Sequence, residues 1–354
     1  MSAPARRDAG LHGVSWAAMF VFGIVLALLG AVLPSLSRSI GIDLSQIGTL
    51  FLVMNAAMMA ASLAVGIVVD RAGLKAPMVA GGLLVAIGIW MVARADGVGA
   101  LRVAVACLGF GGGVLNGAAN TLVADLHDDP QRKASALNVL GVFFGVGALV
   151  LPFSLGALEA RFGMSALLLA AAVLCLVNTG ATAVLRFPAP KQAQGWPLAH
   201  MPELLRQPFV LALAVLLFFQ SGSEFVMGGY VTTLLTRDLG MAIDHTSYVL
   251  AAYWAALMAA RLVLSRVSLS VGGHTLVGAC AAGAAAGALL TAAATSAPVA
   301  IAGALLTAAA LAGVFPTVLG IAGARFAERS GTVFGVLFTV ALSGGMTIPW
   351  LAGL

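Results

Sequence analysis

Eleven long apolar runs constrain what this chain can fold into. Each is about 20 residues or longer. The runs are separated by Gly, Pro and charged residues, and none alternates apolar and polar positions as a half-buried strand would. A helix of about this length crosses the hydrocarbon core of a bilayer and satisfies its own backbone hydrogen bonds there. We therefore predict an all-α polytopic membrane protein with spans at 14–36, 46–69, 77–95, 101–123, 134–158, 164–185, 209–234, 247–269, 275–295, 299–324 and 331–354.

The composition excludes a soluble protein. Of 354 residues, 61% are hydrophobic and 9% are charged, whereas an average soluble domain carries about 25% charged residues. The net charge of +5 comes from short loops between spans, so it does not indicate a nucleic-acid partner. The first run is longer than the roughly 7–15-residue core of a signal peptide, which predicts a retained first helix.

The basic residues predict the orientation. With a cytoplasmic N-terminus, five of them lie outside, namely Arg38, Arg94, Arg102, Arg161 and Arg237. Lys and Arg are enriched in cytoplasmic loops. We therefore predict a cell-membrane protein with its N-terminus in the cytoplasm. The residues on the cytoplasmic side are then Arg6, Arg7, Arg71, Lys75, Arg132, Lys133, Arg186, Lys191, Arg206, Arg266, Arg325 and Arg329.

A short charged stretch joins the second and third spans. It contains Gly66, Asp70, Arg71, Gly73 and Lys75, and we interpret residues 66–75 as a tight cytoplasmic loop. The pattern Gly-x-x-x-Asp-Arg-x-Gly-x-Lys resembles the loop between the second and third helices of the major facilitator superfamily. This resemblance implies two helical bundles related by a pseudo-twofold repeat.

The two halves of the sequence are also similar to each other. A Pro-containing polar stretch at 187–207 separates them. We predict an N-terminal bundle at 1–186, a cytoplasmic linker at 187–207 and a C-terminal bundle at 208–354. Repeated halves are typical of two-bundle transporters. Arg132, Gly147 and Pro152 recur with the same spacing as Arg329, Gly344 and Pro349.

The number of spans departs from the family pattern. The superfamily usually has twelve helices, and only eleven are found before the chain stops at Leu354. Either the full product is longer, or the protein is a shortened member in which the twelfth helix is missing.

The resemblance implies a gate on the cytoplasmic side. Asp70 would face the N-terminus of the eleventh helix, where the helix dipole favours a carboxylate. Arg71 or Lys75 would pair with Asp125 at the end of the fourth span. Arg261 either belongs to this gate or extends to the cytoplasmic interface. The alternative is that water solvates all of these charges.

Polar side chains inside the spans are candidates for solute binding. Asn116 and Asn120 lie one helical turn apart, and Asn138 is in the next span. Amides and an indole face suit a polyol, although the asparagines can equally link helices. With Gln220 and Trp254 they form the predicted substrate site. A resemblance to the fucose-permease and glucose/galactose-permease branch, which implies a sugar, rests on 116–125, 138, 220–224, 253–254, 261, 315–317, 344–345 and 349–350.

Glu224 is the one acidic residue placed well inside a predicted span. A charged side chain at the centre of a spanning helix costs about 2.5–3.5 kcal/mol on insertion scales, and such residues face a cavity or a partner. Gln220 precedes Glu224 by one turn. We predict that Glu224 couples transport to a cation, with the proton favoured; the alternative is a structural carboxyl bonded to a neighbour.

The sequence contains no set of residues for nucleotide hydrolysis, catalysis or metal binding. The chain has no phosphate-binding Gly-x-x-x-x-Gly-Lys-Ser/Thr loop and no nucleophile–base arrangement, which predicts a protein that is not an enzyme and needs no cofactor. Its three cysteines lie in apolar runs and are interpreted as packing residues. No metal site is predicted, because the acidic loop at 125–129 is interpreted as solvated.

The sequence thus predicts a monomeric secondary transporter of a small polar solute, most similar to sugar permeases, that works by alternating access. An exporter of drugs or other apolar solutes is the first alternative, because the second span is rich in methionine, with Met54, Met58 and Met59. A membrane sensor or scaffold that does not transport is the second.

Overall fold

The computed structural model of the chain describes residues 3–127, 130–188, 206–267, 270–326 and 330–354. These ranges contain eleven helical segments long and apolar enough to cross a membrane, as predicted. The helices are α1 Ala3–Ile40, α2 Leu44–Ala72, α3 Lys75–Ala93, α4 Val98–Asp125, α5 Pro130–Phe162, α6 Met164–Val184, α7 Pro208–Arg237, α8 Ile243–Val267, α9 Gly273–Ala292, α10 Ala297–Leu311, α11 Val314–Arg325 and α12 Ser330–Ala352.

The helices pack in the same way in the two halves of the chain. In the first half α1 packs on α5, α2 on α4, and α3 on both α4 and α6. In the second half α7 packs on α12, α8 on α10, and α9 on α10. Since α10 and α11 together form the tenth span, the packing of α1 on α5, of α2 on α4 and of α3 on α4 recurs six spans later. The packing of α3 on α6 has no counterpart in the described part of the second half. The recurrence is the two-bundle repeat that the sequence predicts.

Two glycines make the same contact in both halves. A Cβ atom on Gly147 in α5 would collide with the carbonyl oxygen of Phe20 in α1. A Cβ atom on Gly344 in α12 would collide with the carbonyl oxygen of Phe218 in α7. Small residues let helix backbones approach closely where lipid supplies no hydrophobic drive for helix association. The glycines that recur in the sequence therefore hold equivalent helix pairs together.

The loop predicted at 66–75 is mostly helical. Helix α2 continues to Ala72 and α3 begins at Lys75, so only Gly73 and Leu74 lie between them. Gly73 has φ 73°, and its N–H donates to the Val69 carbonyl at 2.9 Å. Glycine adopts a positive φ without the steric cost of a Cβ atom, so Gly73 can end the helix at this point. The apolar residues before Asp70 extend the spanning helix through most of the motif.

The tenth span, predicted as one helix, is broken. Helix α10 ends at Leu311 and α11 begins at Val314. Pro316 lies in the first turn of α11, where its missing N–H is tolerated. Gly313 packs against Leu264 of α8 and Cys280 of α9, and an added Cβ would lie 2.7 Å from a Leu264 methyl carbon. The break thus lies where the span contacts both of its neighbours.

Candidate functional site

One end of the bundle is closed by contacts between the two halves. This end, here the Arg237 end, carries the last turns of α1 and α7; the opposite end, the Gly73 end, carries the α2–α3 turn. The Thr232 hydroxyl of α7 donates a 2.7 Å hydrogen bond to the Gly30 carbonyl of α1. A Cβ atom on Gly30 would collide with the Gly228 carbonyl oxygen. The two backbones therefore touch at this point.

Helix α2 completes the closure. The Phe51 ring stacks on Tyr230 of α7, with centroids 5.6 Å apart, and Gly229 faces the same ring. Closer to the Arg237 end, a Cβ on Gly48 would lie 2.9 Å from the Trp350 carbonyl oxygen of α12. In contrast, the described part of α4 makes at most marginal contact with α7–α12. The contacts of α1 and α2 with α7 and α12 described here thus lie toward the Arg237 end, while α5 and α8 also pack on each other.

A small cavity lies beneath the closure. Its volume is about 10 Å³, roughly what one water molecule needs. Aromatic rings and glycine backbone form most of its wall, and Glu224 supplies the carboxyl group. In this conformation the space beside Glu224 does not admit a solute larger than water. The lining residues are Leu26, Phe51, Glu224, Phe225, Gly228, Gly229 and Trp254.

Glu224 is held by the amide one turn before it. Gln220 Nε2 donates a 2.7 Å hydrogen bond to Glu224 Oε2, as expected for residues four apart on a helix. Gln220 is buried, and its Oε1 has no hydrogen-bond partner among the described residues. The Glu224 carboxyl thus has a neutral amide for a partner and borders an apolar cavity.

Helix α8 carries three further polar groups, and Trp254 among them lines the cavity together with Glu224. The Tyr253 hydroxyl, Trp254 Nε1 and Arg261 Nε are all buried and have no hydrogen-bond partner in the described part of the chain. Tyr253 packs edge-on against Trp254, with centroids 5.5 Å apart. It also interacts electrostatically with Glu224 and Arg261. An unsatisfied buried polar group costs about 1–3 kcal/mol, so a cluster of them marks a place where a ligand can supply the missing bonds.

The predicted asparagines occupy a different position. Asn120 Nδ2 donates to Asn116 Oδ1 at 3.0 Å and lies 3.8 Å from the Met19 sulfur of α1. Asn138 is within α5, but its side chain lies outside the described part of the structure. The structure therefore brings Gln220, Glu224 and Trp254 together and places the asparagine pair of α4 against α1.

The predicted gate residues are only partly described. Gly73 forms the α2–α3 turn, Lys75 begins α3 and Asp125 ends α4. The backbones of Gly66, Asp70 and Arg71 belong to α2, and their side chains lie outside the described residues. The predicted latch through Asp70 thus stays a prediction. Arg261 is partly exposed and its Nε is buried, so its place in the gate or at the cytoplasmic interface stays a prediction.

Two polar residues near the closure are not among the site residues that the sequence predicts. Tyr253 is fully buried beside Trp254, and of these two residues the sequence predicts only Trp254 as part of the site. Asn55 of α2 is fully buried, with Nδ2 bonded to the Phe51 carbonyl at 3.0 Å and Oδ1 unpartnered among the described residues. A polar residue inside an apolar run is the signal that identifies both.

The profile of the Major Facilitator Superfamily matches residues 15–349. Among curated proteins, none matches the chain significantly. Similar solved structures include a bacterial homologue of the human lysosomal transporter Spinster, inward-facing and occupied, at 16% identity and TM-score 0.81, covering 100% of this chain and 82% of the other.

Two more transporters share the fold. A mutant of the nucleoside transporter NupG matches with 14% identity and TM-score 0.80, covering 98% of this chain and 90% of the other. A D-xylose-proton symporter matches with 13% identity and TM-score 0.81, again covering 98% and 90%. At these identities the similarity is one of fold.

Proposed function

Because the chain belongs to the major facilitator superfamily, a family of transporters and not of enzymes, we propose that it is a proton-coupled secondary transporter of a small polar solute of the sugar class. It is a multi-pass membrane protein with eleven apolar helices in its described part. The substrate class and the coupling ion are the proposed elements, since the fold alone does not determine function.

The unsatisfied polar cluster supports a hydroxyl-rich solute. Gln220 Oε1 can accept a hydrogen bond, and Trp254 Nε1 can donate one, while the Tyr253 hydroxyl can do both. A polyol offers donors and acceptors at short spacing and C–H groups that stack on an indole. The cluster offers the complementary acceptors and donors and an indole ring, and a xylose symporter shares the fold.

Proton coupling is assigned to Glu224. Its carboxyl borders a small apolar cavity and bonds to the neutral Gln220 amide. When the cavity opens to one side and then the other, this carboxyl can take a proton from one compartment and release it to the other. The halves would rock about the cluster, in agreement with alternating access.

The orientation proposed from the basic residues places the N-terminus and the Gly73 end in the cytoplasm of the cell. The closed Arg237 end then faces outward, and the conformation is inward-facing. Asp70, Arg71, Lys75 and Asp125 would form the latch when the protein turns outward. We propose that one chain suffices for transport, with the linker at 187–207 joining the bundles.

An exporter of apolar solutes is the competing function. The wall beside Glu224 includes the apolar side chains of Leu26, Phe51 and Phe225, and a wider version of this cavity would suit an apolar cation. A sensor or scaffold would use the same fold without flux.

A ligand screen followed by flux tests the proposal. Purified protein is heated with sugars and with cationic drugs in parallel, and stabilising compounds are then offered to proteoliposomes with an imposed pH gradient. The proposal requires that a sugar both stabilises the protein and accumulates. Stabilisation by drugs alone favours the exporter, and stabilisation without any flux favours the sensor.

A further inference from the structure

A second, larger cavity lies at the Arg237 end, apart from the Glu224 cluster. Its volume is about 230 Å³, many times the roughly 10–15 Å³ that one water needs. Helices α1 and α7 form its walls, so the cavity spans the junction between the two halves. The lining residues are Pro34, Ser37, Arg38, Thr233, Thr236 and Arg237.

The lining is cationic. It contains two arginines and three hydroxyl groups and no acidic residue. Arg237 donates from one nitrogen, Nη2, to Ser37 Oγ and to the Ile42 carbonyl, and its other N–H groups have no hydrogen-bond partner among the described residues. Arg38 is exposed and shows no hydrogen bond to the described residues. Two guanidinium groups that share one cavity repel each other unless an anion lies between them.

A buried hydroxyl adds to this lining. Thr233 is 4% exposed, and its Oγ1 has no hydrogen-bond partner in the part of the chain that the structure describes. Most threonine hydroxyls in the spans bond to the carbonyl four residues before them, as Thr236 Oγ1 does to Thr232 at 2.8 Å. The cavity thus combines unused guanidinium donors with an unpaired hydroxyl.

We propose that this cavity binds a phosphate-type oxyanion, and that the bound anion stabilises the closed Arg237 end. Guanidinium forks match the geometry of phosphate oxygens. Because α1 contributes Arg38 and α7 contributes Arg237, the complete site exists only while the two halves are together. A ligand that binds one conformation alone stabilises it by mass action. The anion is therefore a regulator of closure and not the transported solute.

The experiment uses the full chain, once in detergent with inorganic phosphate and once in nanodiscs of neutral or phosphatidylglycerol-containing lipid. Thermal midpoints are measured at constant ionic strength, with chloride as the reference anion. Arg38→Gln is the test variant, since Arg237 also makes structural bonds at the closure. Arg102→Gln is the matched control, because Arg102 is exposed on α4 near the same end.

The expected result is stabilisation of the wild type by phosphate, with an apparent phosphate affinity about tenfold weaker in Arg38→Gln and unchanged in Arg102→Gln. Stabilisation by the anionic lipid instead, lost in Arg38→Gln, also supports the site and identifies a lipid headgroup as the source. An equal response of wild type and Arg38→Gln in both settings, or no response in either, overturns the proposal.

A distance measurement tests the link to closure. Spin labels at Ser39 and Ala242, both exposed at the Arg237 end, report the separation of the halves. The effective anion, phosphate or the anionic lipid, should shift the wild-type distribution toward the short distance and leave that of Arg38→Gln unchanged. An identical shift in both proteins would exclude a role of this cavity in closure.

Discussion

The Thr232 hydroxyl donates to the Gly30 carbonyl across the junction of the two halves, at 2.7 Å. This bond cannot survive the separation of α1 from α7, so it is present only while the Arg237 end is closed. A substitution that removes this bond therefore tests how far it stabilises the closed state of the Arg237 end over the open state.

Thr232→Val should shift that equilibrium toward the open state. A net hydrogen bond contributes about 0.5–1.5 kcal/mol, which corresponds to roughly a 2- to 12-fold change in population. Spin-label distances between Ser39 and Ala242 measure the change. Thr121→Val is the control, because the Thr121 hydroxyl bonds to Gly117 in its own helix. Equal distance distributions in the two variants would show that the Thr232 bond does not hold the closure.

Gly30→Ala and Gly147→Ala should have different effects, although each adds one methyl group. Gly30 touches the other half and Gly147 touches α1 within its own half. The first variant should fold normally and populate the open state. The second should lose about 1–3 kcal/mol of stability through overpacking, seen as a lower thermal midpoint. Gly141→Ala, with no neighbour within 4 Å of its added Cβ, should change neither quantity. Equal behaviour of Gly30→Ala and Gly147→Ala would contradict the division into halves.

Glu224→Gln should stop proton-driven accumulation while leaving substrate exchange largely intact. Glutamine keeps the size and hydrogen bonding of a protonated carboxyl but cannot titrate. Uptake along a pH gradient and exchange without a gradient are measured in the same proteoliposomes. Glu159→Gln is the matched control, because Glu159 accepts a 2.8 Å hydrogen bond from Ser35 near the Arg237 end. Normal accumulation by Glu224→Gln would refute proton coupling through this residue.

The membrane orientation is checked with two fusions. A reporter after Lys191 should be cytoplasmic, and one after Asp238 should be external, since the basic residues favour the Gly73 end as the inner one. Fusions after Arg186 and Gly240 repeat each measurement at a neighbouring site. The reverse pattern would assign the closed Arg237 end to the cytoplasm and remove the basis for the proposed latch.

Asp70→Asn should weaken the outward-open state by about 0.3–2 kcal/mol if its carboxylate faces a helix N-terminus there. Cysteine labelling at the Gly73 end, at a residue such as Lys75, should then increase. Asp96→Asn, in the loop between α3 and α4 at the other end, is the control. Unchanged labelling together with normal transport would make Asp70 an ordinary surface charge.

Much of the fold could be predicted because a bilayer leaves few alternatives. Apolar runs of sufficient length become helices, and recurring Gly147 and Gly344 identify equivalent packing contacts. The end of α2 was harder to predict. Residues 67–69 are apolar and can extend a helix, whereas the charges at Asp70 and Arg71 indicate a loop, and only the chain geometry at Gly73 decides where the helix ends.

The site could be predicted only in part, for a physical reason. Gln220 and Glu224 are one turn apart, so their bond follows from helical spacing. The approach of Tyr253 to Glu224 depends on how α8 packs against α7, which no local pattern specifies. Gly30 is one of 43 glycines, and its sequence neighbours do not indicate that it meets Gly228 of the other half.

The cavity beside Glu224, with room for about one water, has a consequence for measured affinities. A solute that needs more space binds only to molecules in which the cavity has widened. Its apparent dissociation constant is then the intrinsic constant divided by the fraction of molecules in that state. A substitution that prevents closure, such as Gly30→Ala, should therefore tighten apparent binding while slowing turnover, since the same closure is required to complete each cycle.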